Sequence, residues 1–333
     1  MKNYRWALSG SGWISNEMAA ALHKNNHEIA GIFSKDEKTA KETARKYGIE
    51  KVYDSYEDML EHSGADIIYI GTPNEIHMDE ALAALEAGKH VFCEKPLGLN
   101  EEQFAKCLHL ADEKGLVLMD GTTLLHMPLF KKIAKVLETG KLGKLKMIQI
   151  SYGIQISYGI QKDFNPESRF YSLEHGGGAL MDIGLYAISF ICLYFDGIPD
   201  HIKTYVSKAS TGVDETSAII MQNKEGQIAS IALSLNTIML EQAMLCLEDG
   251  YILVHGFPRA DQAVVHNRDG ESEIITAGDS DEALEYEMKE MESAIDEGRR
   301  PEGLLDAREV MKSLTWIRQE WNIEFPAEQE QEN

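Results

Sequence analysis

Cysteine is scarce in this chain. There are four in 333 residues, at positions 93, 107, 192 and 246, too scattered for a C-x-x-C pair. No disulfide framework is expected, and the pattern suits reduced thiols in a cytoplasmic protein. Positive charge is scarce too: Lys+Arg 32 against Asp+Glu 55 gives a net −23. Such a chain repels phosphate backbones and anionic lipids, so neither nucleic acid nor a membrane is an expected partner. The acidic excess is concentrated in the last fifty or so residues, where a solvated helix face and tail account for it. No stretch approaches the roughly eighteen apolar residues of a membrane span. Met1-Lys2-Asn3 leads straight into a strand-like run, with no long apolar region and no cleavage site, so no targeting segment is expected.

What the chain does contain is a repeating alternation of apolar strands and amphipathic helices over its first 120 or so residues. The stretch Val91-Phe92-Cys93-Glu94-Lys95-Pro96 is its centre. Val91 to Cys93 reads as a buried parallel strand, which Pro96 stops, so Glu94 and Lys95 fall at the strand's C-terminal end. Ligands of open α/β sheets sit at that edge. A surface turn with one acid and one base is the bland alternative.

Tyr4 to Ser9 reads as the first strand, followed at once by Gly10-Ser-Gly12-Trp13-Ile14-Ser15 and a helix from Asn16 to Lys24. This is G-x-G-x-x-small. Gly10 permits a tight turn, Gly12 allows backbone to approach a pyrophosphate, and a small third residue lets helix pack on strand. The second strand, Glu28 to Phe33, ends in Ser34-Lys35 rather than in the acid that would hold a ribose diol. A hydroxyl and a cation there suit a 2′-phosphate, so NADP is expected over NAD. Ser34-x-x-Glu37 also reads as a capping box for the helix Asp36 to Tyr47, closed by Gly48, and the two readings are compatible. His23 and His27 share an i,i+4 spacing but lack a third ligand, so no metal is expected. A strand from Asp66 to Ile70 exits through Gly71-Thr72-Pro73-Asn74, again at a C-terminal edge, and His77 begins the next helix.

Four motifs then stand together: Gly10–Ser15, Thr72–His77, Ala87–Pro96, and Gly176-Gly177-Gly178-Ala-Leu-Met-Asp182-Ile-Gly184-Leu-Tyr186. Jointly they resemble the Gfo/Idh/MocA family of NAD(P)-dependent oxidoreductases. Tyr186, where many members have His, is similar to the glucose–fructose oxidoreductase and dihydrodiol (xylose) dehydrogenase branch. The resemblance implies an α/β Rossmann domain over 1–122. It implies a substrate-binding and oligomerisation domain over 123–325, built on a large, mostly antiparallel open sheet, with packing of the last helix back on the Rossmann domain left open, and a polar tail over 326–333. With Ser34 and Lys35 from the end of the second strand, it assigns the cofactor to Gly10, Gly12, Trp13, Ile14, Thr72, Pro73, Asn74, His77, Glu94 and Lys95. It assigns catalysis to Lys95, Asp182 and Tyr186.

Asp182 and Tyr186 lie four apart on one face of a helix read over Ala179–Phe195; a buried polar pair is the alternative. Tyr186 would be the general acid/base, with the Lys95 ammonium lowering its pKa or itself carrying the proton. Asp182 would orient Lys95 or the substrate hydroxyl. The implied substrate is a secondary alcohol, lactol or ketone of a sugar, polyol or cyclic diol. Two other readings remain: a non-catalytic NAD(P)-binding regulator, and a redox-neutral enzyme with a tightly bound cofactor. Ile150-Ser-Tyr-Gly-Ile-Gln155 recurs letter for letter as Ile156–Gln161, a local duplication that departs from the family pattern. The helix Glu282–Glu297, with Leu284, Met288, Met291 and Ile295 on one stripe, is expected among the few covers of the second sheet. With one sheet face then uncovered, a homodimer, or a tetramer built from dimers, is expected.

Overall fold

A computed structural model describes residues 3–153 and 165–329. The second copy of the duplicated hexapeptide lies outside them. The chain forms two compact units, one of Met1–Thr122 with Glu282–Arg308, the other of Thr123–Asp281 with Glu309–Asn333.

The first unit is a parallel five-stranded sheet of β1 (Arg5–Ser9), β2 (Glu28–Phe33), β3 (Ile67–Ile70), β4 (His90–Glu94) and β5 (Leu118–Gly121), in the order β2-β1-β3-β4-β5. Val52 adds a single parallel bridge beyond β2. Strand order reverses about β1, and at such a switch point the C-terminal edges of two neighbouring strands leave a crevice. β3 is buried on both faces, as a continuous Ile-Ile-Tyr-Ile run in a helix-covered parallel sheet must be.

Trp6, Leu8, Met18 and Leu22 share one core with Leu284, Met288, Met291 and Ala294 of the late helix Ala283–Glu297. This corrects the expected placement of that helix as a cover of the second sheet. Its apolar stripe packs in the first unit, and its polar side chains explain why. Tyr4 donates to Asp296 at 2.7 Å, the Trp6 indole to Glu292 at 3.2 Å and Lys24 to Glu285 at 2.5 Å. His27 also faces Glu292, at 3.3 Å, while His23 packs on the Tyr47 ring.

The second unit holds an eight-stranded sheet: β6 (Leu145–Gly153), β7 (His201–Lys208), β8 (Asp214–Gln222), β9 (Ile228–Ser234), β10 (Gln242–Leu247), β11 (Gly250–His255), β12 (Gln262–Asn267) and β13 (Ser272–Thr276). Its order is β13-β12-β11-β10-β6-β9-β8-β7, antiparallel everywhere except between β6 and β9. Short turns and alternating sequences make hairpins; only the long excursion between β6 and β7 contains helix. The inner face, with Ile148, Ile150, Ile219, Ile231 and Leu245 buried, packs on the helix Leu185–Tyr194. Phe190 of that helix meets Phe257 at 5.8 Å, and Phe257 meets Tyr152 at 5.2 Å.

Candidate active site

Gly10 has φ +99°, and a side chain there would put its Cβ 2.5 Å from the Gly71 carbonyl oxygen. The turn after β1 thus lies at backbone distance from the exit of β3, with the Ser15 hydroxyl donating to Gly71 O at 3.2 Å. Gly12 is different. Its φ is −68° and an added Cβ would meet nothing within 4 Å, so neither conformation nor packing demands glycine there. The helix it opens, Trp13–Lys24, has no side-chain cap and no acid in its first turn. Its leading N–H groups and positive dipole end are those that bind phosphate. Open space before an uncapped helix fits a dinucleotide pyrophosphate. Trp13 is exposed and Ile14 packs against the core, so helix begins three residues earlier than the apolar pattern suggests.

At the end of β2 the capping box is not formed. Asp36 is the cap, accepting from the Lys38 and Thr39 amides, because the helix runs Glu37–Tyr47. The Ser34 hydroxyl instead accepts from Ser11 at 2.9 Å, with Thr39 Oγ1 2.5 Å from the same Ser11 oxygen. A row of hydroxyls therefore faces the glycine turn, and Lys35 beside it is exposed.

The exits of β3 and β4 are clasped by His77. One ring nitrogen lies 2.7 Å from Thr72 O and the other 2.8 Å from Pro96 O, and the side chain is 1% exposed. His77 therefore holds the two loops that carry Thr72-Pro73-Asn74 and Glu94-Lys95-Pro96. Thr72 donates to Glu80 at 3.0 Å, and burial pushes the Glu80 carboxyl up to about 7. Glu94 accepts from the Tyr69 phenol at 2.8 Å, and burial with that carboxylate holds Tyr69 well above its ordinary value. Asp120, at the end of β5, accepts from the Leu97 amide and from Thr122; burial raises its pKa. Among the described residues 91–99, Lys95 alone is not buried. Tyr69, Glu80 and Asp120 escape a motif reading. They are single polar residues in otherwise apolar strands or on a helix face, with no spacing to mark them.

In the second unit, Gly176–Gly178 leads into a wide π turn, Leu180–Gly184, and then the α-helix Leu185–Tyr194. The single continuous helix read over Ala179–Phe195 is thus corrected at its start. A side chain at Gly184 would meet Leu233 at 2.8 Å, so the turn is seated hard on β9. Single π turns recur at functional sites. Among the described residues 176–191, only Asp182 and Tyr186 are not buried.

Residues 4–122 match the model of an oxidoreductase family with an NAD-binding Rossmann fold, and residues 130–253 match the GFO/IDH/MocA C-terminal domain. The chain is 30% identical over 254 residues to a trans-1,2-dihydrobenzene-1,2-diol dehydrogenase from Xenopus tropicalis, spanning 75% of this chain and 74% of that protein. A bovine (Bos taurus) protein of the same name is 31% identical over 236 residues, 70% of this chain and 68% of its own. This chain belongs to the Gfo/Idh/MocA family. It is an NAD(P)-dependent oxidoreductase acting on CH–OH groups. The fold matches a 3-ketoreductase from Actinomadura kijaniata in complex with NADP and TDP-benzene, at TM-score 0.83 and 23% identity over 96% of this chain and 98% of that one. It also matches a levoglucosan dehydrogenase in complex with NADH and levoglucosan, at TM-score 0.83 and 20% identity over 95% and 97%. No helix among the described residues is long and apolar enough to cross a membrane.

Proposed function

We propose that this member of the family interconverts a secondary alcohol or lactol and its carbonyl form on a sugar, polyol or cyclic diol, with NADP preferred. The observation that carries the reading is exposure. In two otherwise buried stretches, the residues left partly accessible are Lys95 in one, and Asp182 and Tyr186 in the other. Burying the neighbours while leaving an ammonium accessible in the first unit, and a carboxylate and a phenol in the second, is what groups that handle a hydroxyl proton require. The nicotinamide, when bound, supplies or accepts the hydride. Tyr186 is assigned the transfer of the hydroxyl proton, Lys95 the role of the cation that serves this transfer or carries the proton itself, and Asp182 the orientation of the substrate hydroxyl. Gly10, Gly12, Trp13 and Ile14 hold the pyrophosphate side of the nucleotide. Ser34 and Lys35 take its 2′-phosphate end, and Thr72, Pro73, Asn74, Glu94 and Lys95 its remaining edge. The diol named by the relatives and the levoglucosan named by one structural neighbour support this substrate class.

We propose in addition that the chain is a homodimer or a tetramer of dimers, working in the cytoplasm, where four scattered cysteines stay reduced. The test of the activity is a turnover assay with NADP and NAD against a panel of trans-diols, aldoses, ketoses and polyols. Reversible oxidation of at least one class is expected. If no net change in cofactor redox state occurs with any of them while bound nucleotide is released on denaturation, the redox-neutral reading replaces this one.

A further inference from the structure

We propose that Asp214, at the start of β8, is a positioning residue that holds the turn bearing Asp182 and, through it, the start of the helix bearing Tyr186. The inference rests on the reading of those two residues as the groups that handle the proton. A helix start is ordinarily capped by the residue just before it. Here Ala179 stands in that place without a side-chain bond. The Leu180 amide instead donates to Asp214 Oδ2 at 2.7 Å, from a residue 34 positions away in another element.

The other oxygen is placed with equal economy. Oδ1 occupies the space that a side chain at Gly178 would need, well inside contact distance, and Gly178 has φ +113°. Gly178 in turn donates to Phe170 O at 2.9 Å, and its carbonyl accepts the Asp182 amide at 3.1 Å. One carboxylate thus fixes the backbone on both sides of Ala179, and the Asp182 amide hangs from the same glycine.

Asp214 is 1% exposed, and among the described residues Oδ1 accepts no hydrogen bond. Burial pushes its pKa up to about 7, opposed by the Leu180 amide, by its own backbone amide and by the charges of Arg318 and Lys208. A buried acid with one oxygen unbonded is costly for stability alone. Its return is the fixed placement of a turn that would otherwise be a run of three glycines ending in an uncapped helix.

The experiment pairs hydrogen exchange of peptides covering residues 176–190 with steady-state kinetics on the best substrate of the panel, for wild type, Asp214→Ala, Asp214→Asn and Tyr186→Phe. Asp214→Ala is expected to raise exchange at 178–186 while β6, β9 and β10 stay protected. It should lower kcat about tenfold to a hundredfold, the effect of a reacting group displaced by about an ångström, with KM moving by less than threefold and cofactor affinity unchanged. Asp214→Asn retains an acceptor for the Leu180 amide and is expected to restore most of both. Wild-type exchange at 178–186 in Asp214→Ala overturns the proposal whatever the kinetics show. Raised exchange with wild-type kcat also overturns it. Full activity in Tyr186→Phe, with exchange changed as expected in Asp214→Ala, refutes the role of Tyr186 and leaves the hold of Asp214 on the turn standing.

Discussion

Lys95 and Tyr186 each interrupt a buried run, and that isolation sets what their loss should do. Lys95→Ala and Tyr186→Phe are each expected to cut kcat by about two to four orders of magnitude, the usual worth of a positioned acid or base. Tyr186→Phe should leave cofactor affinity nearly unchanged, read by nucleotide fluorescence titration; a wild-type rate in that variant removes Tyr186 from the mechanism. At the other end of the nucleotide, Ser34 sits in a hydroxyl row with Ser11 and Thr39, and Lys35 is exposed beside it. Lys35→Asp introduces the acid that binds a ribose diol and repels a 2′-phosphate, and should move preference toward NAD. Paired kcat/KM values for the two cofactors decide this, and a wild type that clearly prefers NAD contradicts the assignment. Both sets were proposed from hydroxyls, glycines and a Glu-Lys-Pro triplet at strand ends, with Tyr186 assigned through the family resemblance. Glu80 and Asp214 were not legible in this way. Their buried placement follows from which elements pack together, which no local spacing encodes.

The turn between β1 and its helix allows two glycines with different duties to be separated. Gly10→Ala must adopt φ +99° and press a methyl against Gly71 O, so it should cost on the order of 1–3 kcal/mol of stability. Gly12→Ala has open space and an ordinary φ, so the melting temperature should fall little. The added methyl nevertheless stands where a pyrophosphate approaches, and cofactor affinity should drop about tenfold or more, an effect worth ~1.4 kcal/mol. Thermal unfolding and fluorescence titration of both variants check the pair. Equal losses of stability, or unchanged affinity in Gly12→Ala, would show that the turn does not serve the nucleotide as argued. Elements of this kind were well anticipated: β1, β2 and the helix Glu37–Tyr47 lie within a residue of their expected spans. Caps and starts were less so, because Ser34 and Asp36 are both competent caps and only the register of the helix chooses between them.

For the molecule as a whole, charge and an open sheet face make two predictions. Glu80, Asp214 and Glu241 are all pushed up to about 7 by burial. In the unfolded chain such groups titrate near 4, so between about 4 and 7 the fold binds more protons than the unfolded state. Stability is therefore full below that window and declines as pH rises through it. Self-repulsion at −23 acts in the same direction. Groups held low, such as Glu248 by the Lys144 amide and Glu297 by Arg299, lose their contribution only at more acidic pH. The melting temperature should be higher at pH 5.5 than at pH 8, and Glu80→Gln should narrow the gap; a flat or rising profile would contradict this. On the sheet, the register sets Ile274, Val264, Leu253 and Met244 in one outward row. Ile274 is 65% exposed, Tyr205 83% and Ile220 46%. An apolar face of this extent is the mark of an interface. Sedimentation at micromolar concentration should give a dimer or tetramer, and Ile220→Lys with Ile274→Lys should dissociate it. A single wild-type species at 37.3 kDa would remove the proposal.

Taken alone, the sequence determined the nucleotide turn, the parallel strands of the first unit, the alternating strands of the second and the family. Each rests on local periodicity or on residues close together in the chain, where backbone geometry restricts the choice of side chain. Tertiary structure alone decided that the helix Ala283–Glu297 returns to the first unit, because its stripe of Leu284, Met288 and Met291 would suit any apolar face and only Trp6, Tyr4 and Lys24 select one. It also decided that His77 clasps two loops, that Asp214 caps a turn 34 residues distant and that a π turn leads into the helix bearing Tyr186. These are pairings between elements far apart in the chain, set by packing and by the need to satisfy buried polar groups. Such pairings leave no period in the sequence to read.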